Sequence, residues 1–238
     1  SRFKFCMANT NHYVDFHQWD QTHKFGLFYN RPLWHRIGLA SYMQQHYRDQ
    51  TLINFRSNPH DPDSRELFEI SELFTYHPES VYNFINNIDF FPCTVEEVDG
   101  YTKHASTEMH TDQLMQFYPT FLIDIVAETF TSGRTFFLTE KTTRPMLLKK
   151  PMITMAGQDQ LLYLRQMGFK TFNDFWSEEY DGYEGANRYI RILKLIDDLA
   201  RLSTEQLQAM YSEMQDILTH NYELLSTKKF NTTITRVI

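Results

Sequence analysis

The chain has 238 residues, enough for one to two domains and for a core that needs no disulfide or metal staple. Its 42% hydrophobic and 22% charged residues exclude collagen-like, low-complexity and disordered chains. A formal charge of −7 excludes the broad basic stripe of a duplex-nucleic-acid binder, while a local pocket of two or three cations for a phosphate remains compatible with it.

Phe3–Met7 is apolar and suits a strand, and a polar stretch from Asn9 to His23 reads as a loop. Lys24–Tyr29 (KFGLFY) is the next strand, broken by Asn30-Arg31-Pro32. Ile37, Leu39, Ala40, Tyr42, Met43 and Tyr47 recur with helical period after Pro32, and Thr51–Phe55 (TLINF) follows as a strand. This is a β–loop–α–β unit. Ser57–Ser64 is a turn cluster, Arg65–Tyr76 a helix ended by Pro78, and 86–116 a polar irregular stretch. Phe121–Ala127 (FLIDIVA) predicts a buried strand. Thr135–Thr139 reads as a short strand leading into a helix that begins near Glu140. Pro151–Met155 is a strand, Gln158–Met167 a helix stopped by Gly168, and Phe169–Phe175 a strand or turn.

The C-terminal part changes character. Ile192, Leu195, Ile196, Leu199 and Leu202 form one helical stripe, Ser203 with Gln206 fits a capping box, and Leu207 to Leu225 form the next stripe. Strands alternating with helices predict an α/β class: a Rossmann-like parallel sheet with helices on both faces and a C-terminal helical appendage. The expected division is an α/β domain over 1–181, with an insertion at 57–116, and the appendage over 182–238.

Two cysteines, Cys6 and Cys93, are too few for a disulfide framework, and a reducing compartment is the default expectation. No apolar run approaches the ~18–20 residues that span a bilayer, and no signal-peptide pattern opens the chain. It begins with Ser1, so processing, or excision from a longer protein with another domain before this one, is the expectation.

Three constellations could carry chemistry. In Phe137-Leu138-Thr139-Glu140-Lys141 a carboxylate and an ammonium arrive side by side at a helix start, where free N–H groups attract anions. Lys141 there suits a diphosphate and Glu140 a ribose or sugar hydroxyl; a solvated charge pair has the same pattern. In Asn30-Arg31-Pro32-Leu33-Trp34-His35-Arg36, Arg31 and Arg36 flank a second strand-to-helix turn, and arginine can grip phosphate bidentately. Glu128 follows the third strand, where α/β enzymes place ligands, and where a strand-end cap would also stand. Asp61-Pro62-Asp63 has the spacing of a divalent-metal pair inside a turn cluster, and His104, His110 and Asp112 match no zinc spacing, so no metal is assigned. Gly-x-Gly-x-x-Gly, Walker and Gly-x-Ser-x-Gly motifs are absent from the sequence.

Asn30 with Arg36 six residues on, then Glu128, then Thr139-Glu140-Lys141 at a helix start and a short strand from Pro151, taken in this order, resemble the nucleotide-sugar-binding half of GT-B glycosyltransferases of the fucosyltransferase-like group. The stretch 157–181 is similar to segments of viral and bacterial glycosyltransferase-like proteins, and the resemblance covers about residues 24–181. It implies a metal-independent glycosyltransferase, or its donor-binding domain, with no cofactor besides a GDP- or UDP-linked sugar as donor and a glycan or other hydroxyl as acceptor. Arg36 and Lys141 would contact the diphosphate, with Asn30, Arg31 and Thr139 beside them. Glu140 would contact ribose or sugar, and Glu128 would lie near the donor sugar, the two carboxylates being the catalytic candidates. The implied location is the cytoplasm of a bacterium or an infected host cell. The chain departs from the family in the 92 residues between Arg36 and Glu128, in Thr129 where the family has Asn, and in the short stretch before Phe25, which cannot hold the domain that supplies the family's base. A non-catalytic module that binds a glycan or a protein partner is the alternative, favoured by 20 Phe, 14 Tyr and 3 Trp.

Overall fold

The computed structural model describes residues 18–29, 31–55, 64–87, 116–133, 136 and 138–226. The expected strand at Phe3–Met7 lies outside them, as do Asn30, Asp61, Asp63, His104, His110, Asp112 and Phe137. Four parallel strands form one sheet: β1 (His23–Tyr29), β2 (Thr51–Phe55), β3 (Phe121–Ala127) and β4 (Met152–Met155), in the order β2-β1-β3-β4. The register pairs Tyr29 with Phe55, Gly26 with Asp124 and Ala127 with Met155. All seven residues of β3 are buried, as a parallel strand covered on both faces requires. Gly26 has a steric reason: a Cβ there would lie 2.7 Å from the Phe121 ring.

The helices are α1 (Trp34–His46), α2 (Ser64–Tyr76), α3 (Pro78–Asn87), α4 (Glu140–Leu147), α5 (Gln160–Gln166), α6 (Gly185–Ala200), α7 (Thr204–Glu213) and α8 (Gln215–Ser226). From β1 the chain moves outward to β2, then returns across β1 to β3 and continues to β4. The right-handed crossover rule for parallel strands then puts α1 and α4 on opposite faces. Packing agrees: α1 sits with α2, α3 and α6, whereas α4 packs against α8.

The C-terminal helices are therefore layers of the fold. Helix α6 starts beside the carboxyl edge, where Gly185 N–H donates to the Thr131 carbonyl, and ends at the amino edge, where Lys24 Nζ donates to the carbonyls of Ala200 (2.6 Å) and Leu202 (2.7 Å). Ile192, Ile196, Leu207, Met214 and Leu218 share one core cluster with Phe25, Ile123 and Ile153 of the sheet.

Four local expectations change. Pro78 ends α2 and also opens α3, a helix the sequence reading lacked, because proline suits a first helical position and His77 Nδ1 lies 2.8 Å from the Ser80 hydroxyl at the corner. Residues 136, 138 and 139 form no strand; they are a coil leading into α4. Asp159 adopts φ 64°, so α5 begins after it, at Gln160. Residues 169–175 take the turn alternative. The second C-terminal stripe divides at Met214, although the hydrogen-bond ladder runs on through Met214 N–H to Met210 (3.1 Å) and Leu218 N–H to Met214 (3.0 Å). The capping box at Ser203 and Gln206 is formed as expected.

Candidate functional site

The strand order reverses between β1 and β3. Their following segments diverge to opposite faces, and the carboxyl ends of two such strands are the place where open α/β sheets bind ligands. Every site candidate the sequence singled out, within the described residues, lies at this edge of the sheet.

On its α1 side, Arg36 is 1% exposed and works inward. Its Nε (3.2 Å) and Nη2 (3.0 Å) donate to the Ala127 carbonyl, and Nη1 lies 3.5 Å from the Arg31 carbonyl. Burial lowers its pKa to about 10, opposed by the neighbouring Tyr29, Glu128 and Glu140. The preceding residue, His35, holds the next carbonyl: Nε2 lies 2.8 Å from the Glu128 oxygen. Burial and the Arg36 charge bring the imidazole to about 3, so it is neutral, with its proton on Nε2 toward that carbonyl. Two consecutive side chains of α1 thus fix two consecutive carbonyls at the end of β3. Arg31 is exposed at the mouth of the turn.

On the α4 side, Glu128 is 2% exposed. Its Oε2 accepts from the Thr139 hydroxyl (2.6 Å) and its Oε1 from the Thr142 hydroxyl (2.5 Å), with Thr139 N–H at 3.4 Å. Thr139 is also the N-cap, accepting from Lys141 N–H at 3.1 Å. Glu128 therefore anchors the first turn of α4 to β3 instead of presenting a free carboxylate, which places it as a positioning group. Glu140 and Lys141 pair at 2.7 Å toward solvent. Burial resists ionisation of Glu140, but the Lys141 ammonium outweighs it and leaves the carboxyl below its usual range.

The structure thus brings Arg31, Arg36, Glu128, Thr139, Glu140 and Lys141 to one edge and divides them. Arg36, Glu128 and Thr139 are internal braces; Arg31, Glu140 and Lys141 reach solvent. Three further residues complete the frame. Glu69 of α2 accepts from Trp34 N–H (2.9 Å), so a carboxylate already occupies the N-terminus of α1. Asp181 does the same for α5, accepting from Leu161 N–H (2.9 Å) and Leu162 N–H (3.0 Å). Arg188, fully buried, donates to the carbonyls of Thr154 (2.8 Å) and Gly157 (3.0 Å) and pairs with Asp181 at 3.1 Å, which fixes the end of β4. The sequence offered a signal only for His35 and Thr142, each within a turn of a named residue.

Among the described residues no group of three His, Cys, Asp or Glu could hold a metal ion, and no described helix is long and apolar enough to cross a membrane. Compared with protein-family models, curated proteins and solved structures, the chain has no match.

Proposed function

We propose that the chain is a metal-independent glycosyltransferase, or the donor-binding part of one, that takes a GDP- or UDP-linked sugar at the carboxyl edge between β1 and β3. One observation carries this reading: His35 and Arg36 bond to the carbonyls of Glu128 and Ala127, and Thr139 bonds to the Glu128 carboxylate, so two segments some ninety positions apart in sequence meet at the carboxyl ends of β1 and β3. Sugar transfer breaks the bond between the anomeric carbon and the diphosphate and forms one to an acceptor hydroxyl, which gives up its proton. Negative charge grows on the leaving diphosphate, and preplaced cations lower the barrier. Arg31, exposed, and Lys141, half-buried beside Glu140, are the cations for that role. Arg36 and Glu128 act through them, by fixing the end of β3 and the first turn of α4. Glu140 is placed to accept from a ribose or sugar hydroxyl. The proposed setting is the cytoplasm.

Calorimetric titration with GDP, UDP and their sugars tests this. Binding by one nucleotide family is expected, weakened roughly 10-fold or more by Lys141→Ala, the scale of a charge-assisted hydrogen bond. Absence of binding by every nucleotide, or affinity indifferent to Lys141→Ala and Arg31→Ala together, overturns it. The second reading, a non-catalytic binding module, is favoured by the engagement of both Glu128 carboxylate oxygens; turnover of a nucleotide sugar by the purified chain would exclude it.

A further inference from the structure

Arg144 lies in the middle of α4 and is 7% exposed. One nitrogen of its guanidinium is fixed: Nε donates to the Tyr118 hydroxyl at 2.5 Å. Its Cζ lies over two rings, 5.5 Å from the centroid of Phe28 and 5.8 Å from that of Tyr118. The two Nη nitrogens have no hydrogen-bond partner among the described residues, yet they are not sealed from solvent. An almost buried guanidinium thus keeps the donor fork at its far end open.

A buried charge calls for a counter-charge. Among the described residues no carboxylate lies within salt-bridge distance of Arg144. Both oxygens of Glu128 are taken by threonine hydroxyls, and Glu140 pairs with Lys141. Asp124 is reached only through Tyr118, whose hydroxyl donates to Oδ2 at 2.5 Å. Arg144 nevertheless belongs to the charged edge described above: Glu140, one turn earlier, acts electrostatically on Arg144, Lys141 and Arg36. An arginine fork with a lysine point charge beside it is a pairing suited to phosphate oxygens.

We infer that the open end of Arg144 is a phosphate-binding group acting with Lys141, and that anion binding there is coupled to protonation of Asp124 behind Tyr118. The inference rests on the donor reading for the identity of the anion, a nucleotide diphosphate. The coupling follows from charge. A bound anion and the Asp124 carboxylate would share one cation and repel each other, so a proton on Asp124 tightens the anion and the anion holds the proton. The other titratable groups facing this network are Tyr29 of β1, Tyr118, and Glu140 and Lys141 of α4. Burial keeps both tyrosines neutral, and Lys141 keeps Glu140 ionised in spite of its burial. Asp124, raised by burial to about 6 against the pull of Arg144 and Tyr118, is the carboxyl whose charge changes near neutrality.

The test titrates the full chain with sulfate, a phosphate isostere that does not itself titrate between pH 5 and 8, at constant ionic strength. The readout is the set of arginine Nε–H resonances in NMR, with the Arg144 signal assigned by its loss in Arg144→Lys. Sulfate should shift that signal and bind more tightly at pH 5 than at pH 8. Asp124→Asn should bind sulfate about threefold or more tighter than the wild type at pH 8 and equally at pH 5, since it lacks the carboxylate behind the cation. This gain of affinity cannot come from a misfolded variant. Arg144→Lys, which keeps the charge and loses the fork, should weaken sulfate, GDP and UDP about fivefold or more. A wild-type affinity that is flat with pH, an Asp124→Asn variant no tighter at pH 8, or absence of sulfate binding overturns the inference. Nucleotides that need Lys141 but are indifferent to Arg144→Lys overturn it too, and leave the donor reading in place. Sulfate binding with the expected pH dependence, without binding of any nucleotide, supports the anion group and removes the donor reading.

Discussion

At the scale of single residues, ionisable groups deep in this chain serve as internal fasteners. Asp124, in the middle of β3, accepts from the Tyr118 hydroxyl at 2.5 Å, and Arg144 of α4 donates to that same hydroxyl at 2.5 Å. The Arg144 guanidinium also lies over the Phe28 ring. A carboxyl in a sheet otherwise buried on both faces is costly to ionise. Burial raises Asp124 to about 6, outweighing the opposing pull of Arg144 and Tyr118. Because the folded value exceeds the unfolded one, ionisation opposes folding. The contribution is favourable below pH about 4 and is lost as the pH rises through about 6. Urea unfolding of the wild type and of Asp124→Asn between pH 4 and 8 checks this. The stability difference should move in favour of the asparagine variant by up to about 3 kcal/mol across that window, at 1.36 kcal/mol per pKa unit. A pH-independent difference would show that the carboxyl stays ionised throughout. The site was legible at this scale only in part. Arg36, Glu128 and Thr139-Glu140-Lys141 stood out as charge at strand ends, yet sequence cannot say which way a side chain turns. Arg36 and Glu128 proved internal, while Arg31 is exposed and Lys141 half-buried. Glu69 and Asp181 gave no local signal, because they serve helix ends 35 and 20 residues away.

At the scale of elements, the boundaries that sequence located well are those set by local chemistry. Thr51–Phe55 and Phe121–Ala127 are apolar runs bounded by polar residues and emerge as strands with those limits. Thr139 caps α4 and Ser203 caps α7, each through a hydroxyl that satisfies an N–H of the first turn. Expectations failed where a residue has two local roles. Pro78 stops one helix and starts the next, and Phe136, Leu138 and Thr139 have β-forming composition but are coil. Pairing between strands depends on contacts that a single strand's pattern does not contain. Gly26 shows this most sharply, since it is required by the Phe121 ring on a strand about a hundred residues later. Gly26→Ala should overpack that contact by roughly 1–3 kcal/mol. At about 2–4 °C per kcal/mol for a chain of this size, the thermal midpoint should fall by several degrees. An unchanged midpoint would mean that the ring gives way at little cost.

At the scale of the molecule, the question is whether the C-terminal helices are attached to an α/β unit or belong to it. Composition suggested the first, because the strand–helix alternation ends near residue 181 and two amphipathic stripes follow. The packing supports the second. Helix α6 covers the face that bears α1, where a Cβ on Gly38 would lie 2.7 Å from the Tyr189 hydroxyl. Helices α7 and α8 cover the opposite face, with Tyr222 under the Lys149 ammonium and Asn221 bonded to both the N–H and the carbonyl of Lys170 at 2.8 Å. Arg188, from the first turn of α6, holds the end of β4. Each large apolar side chain that these helices bury, such as Ile192, Ile196, Leu207, Met214 and Leu218, is worth about 1.5–3 kcal/mol. A handful therefore matches the whole net stability of an ordinary domain, about 5–15 kcal/mol. A chain ending at residue 181 would expose both faces of the sheet and leave Asp181 without Arg188. It should show no cooperative urea transition and lose its near-ultraviolet circular dichroism, while the full chain unfolds in one step. A truncated chain that kept a sharp transition would identify 182–238 as an appendage. Loss of folding would instead make the edge between β1 and β3 dependent on helices that lie outside the sequence resemblance.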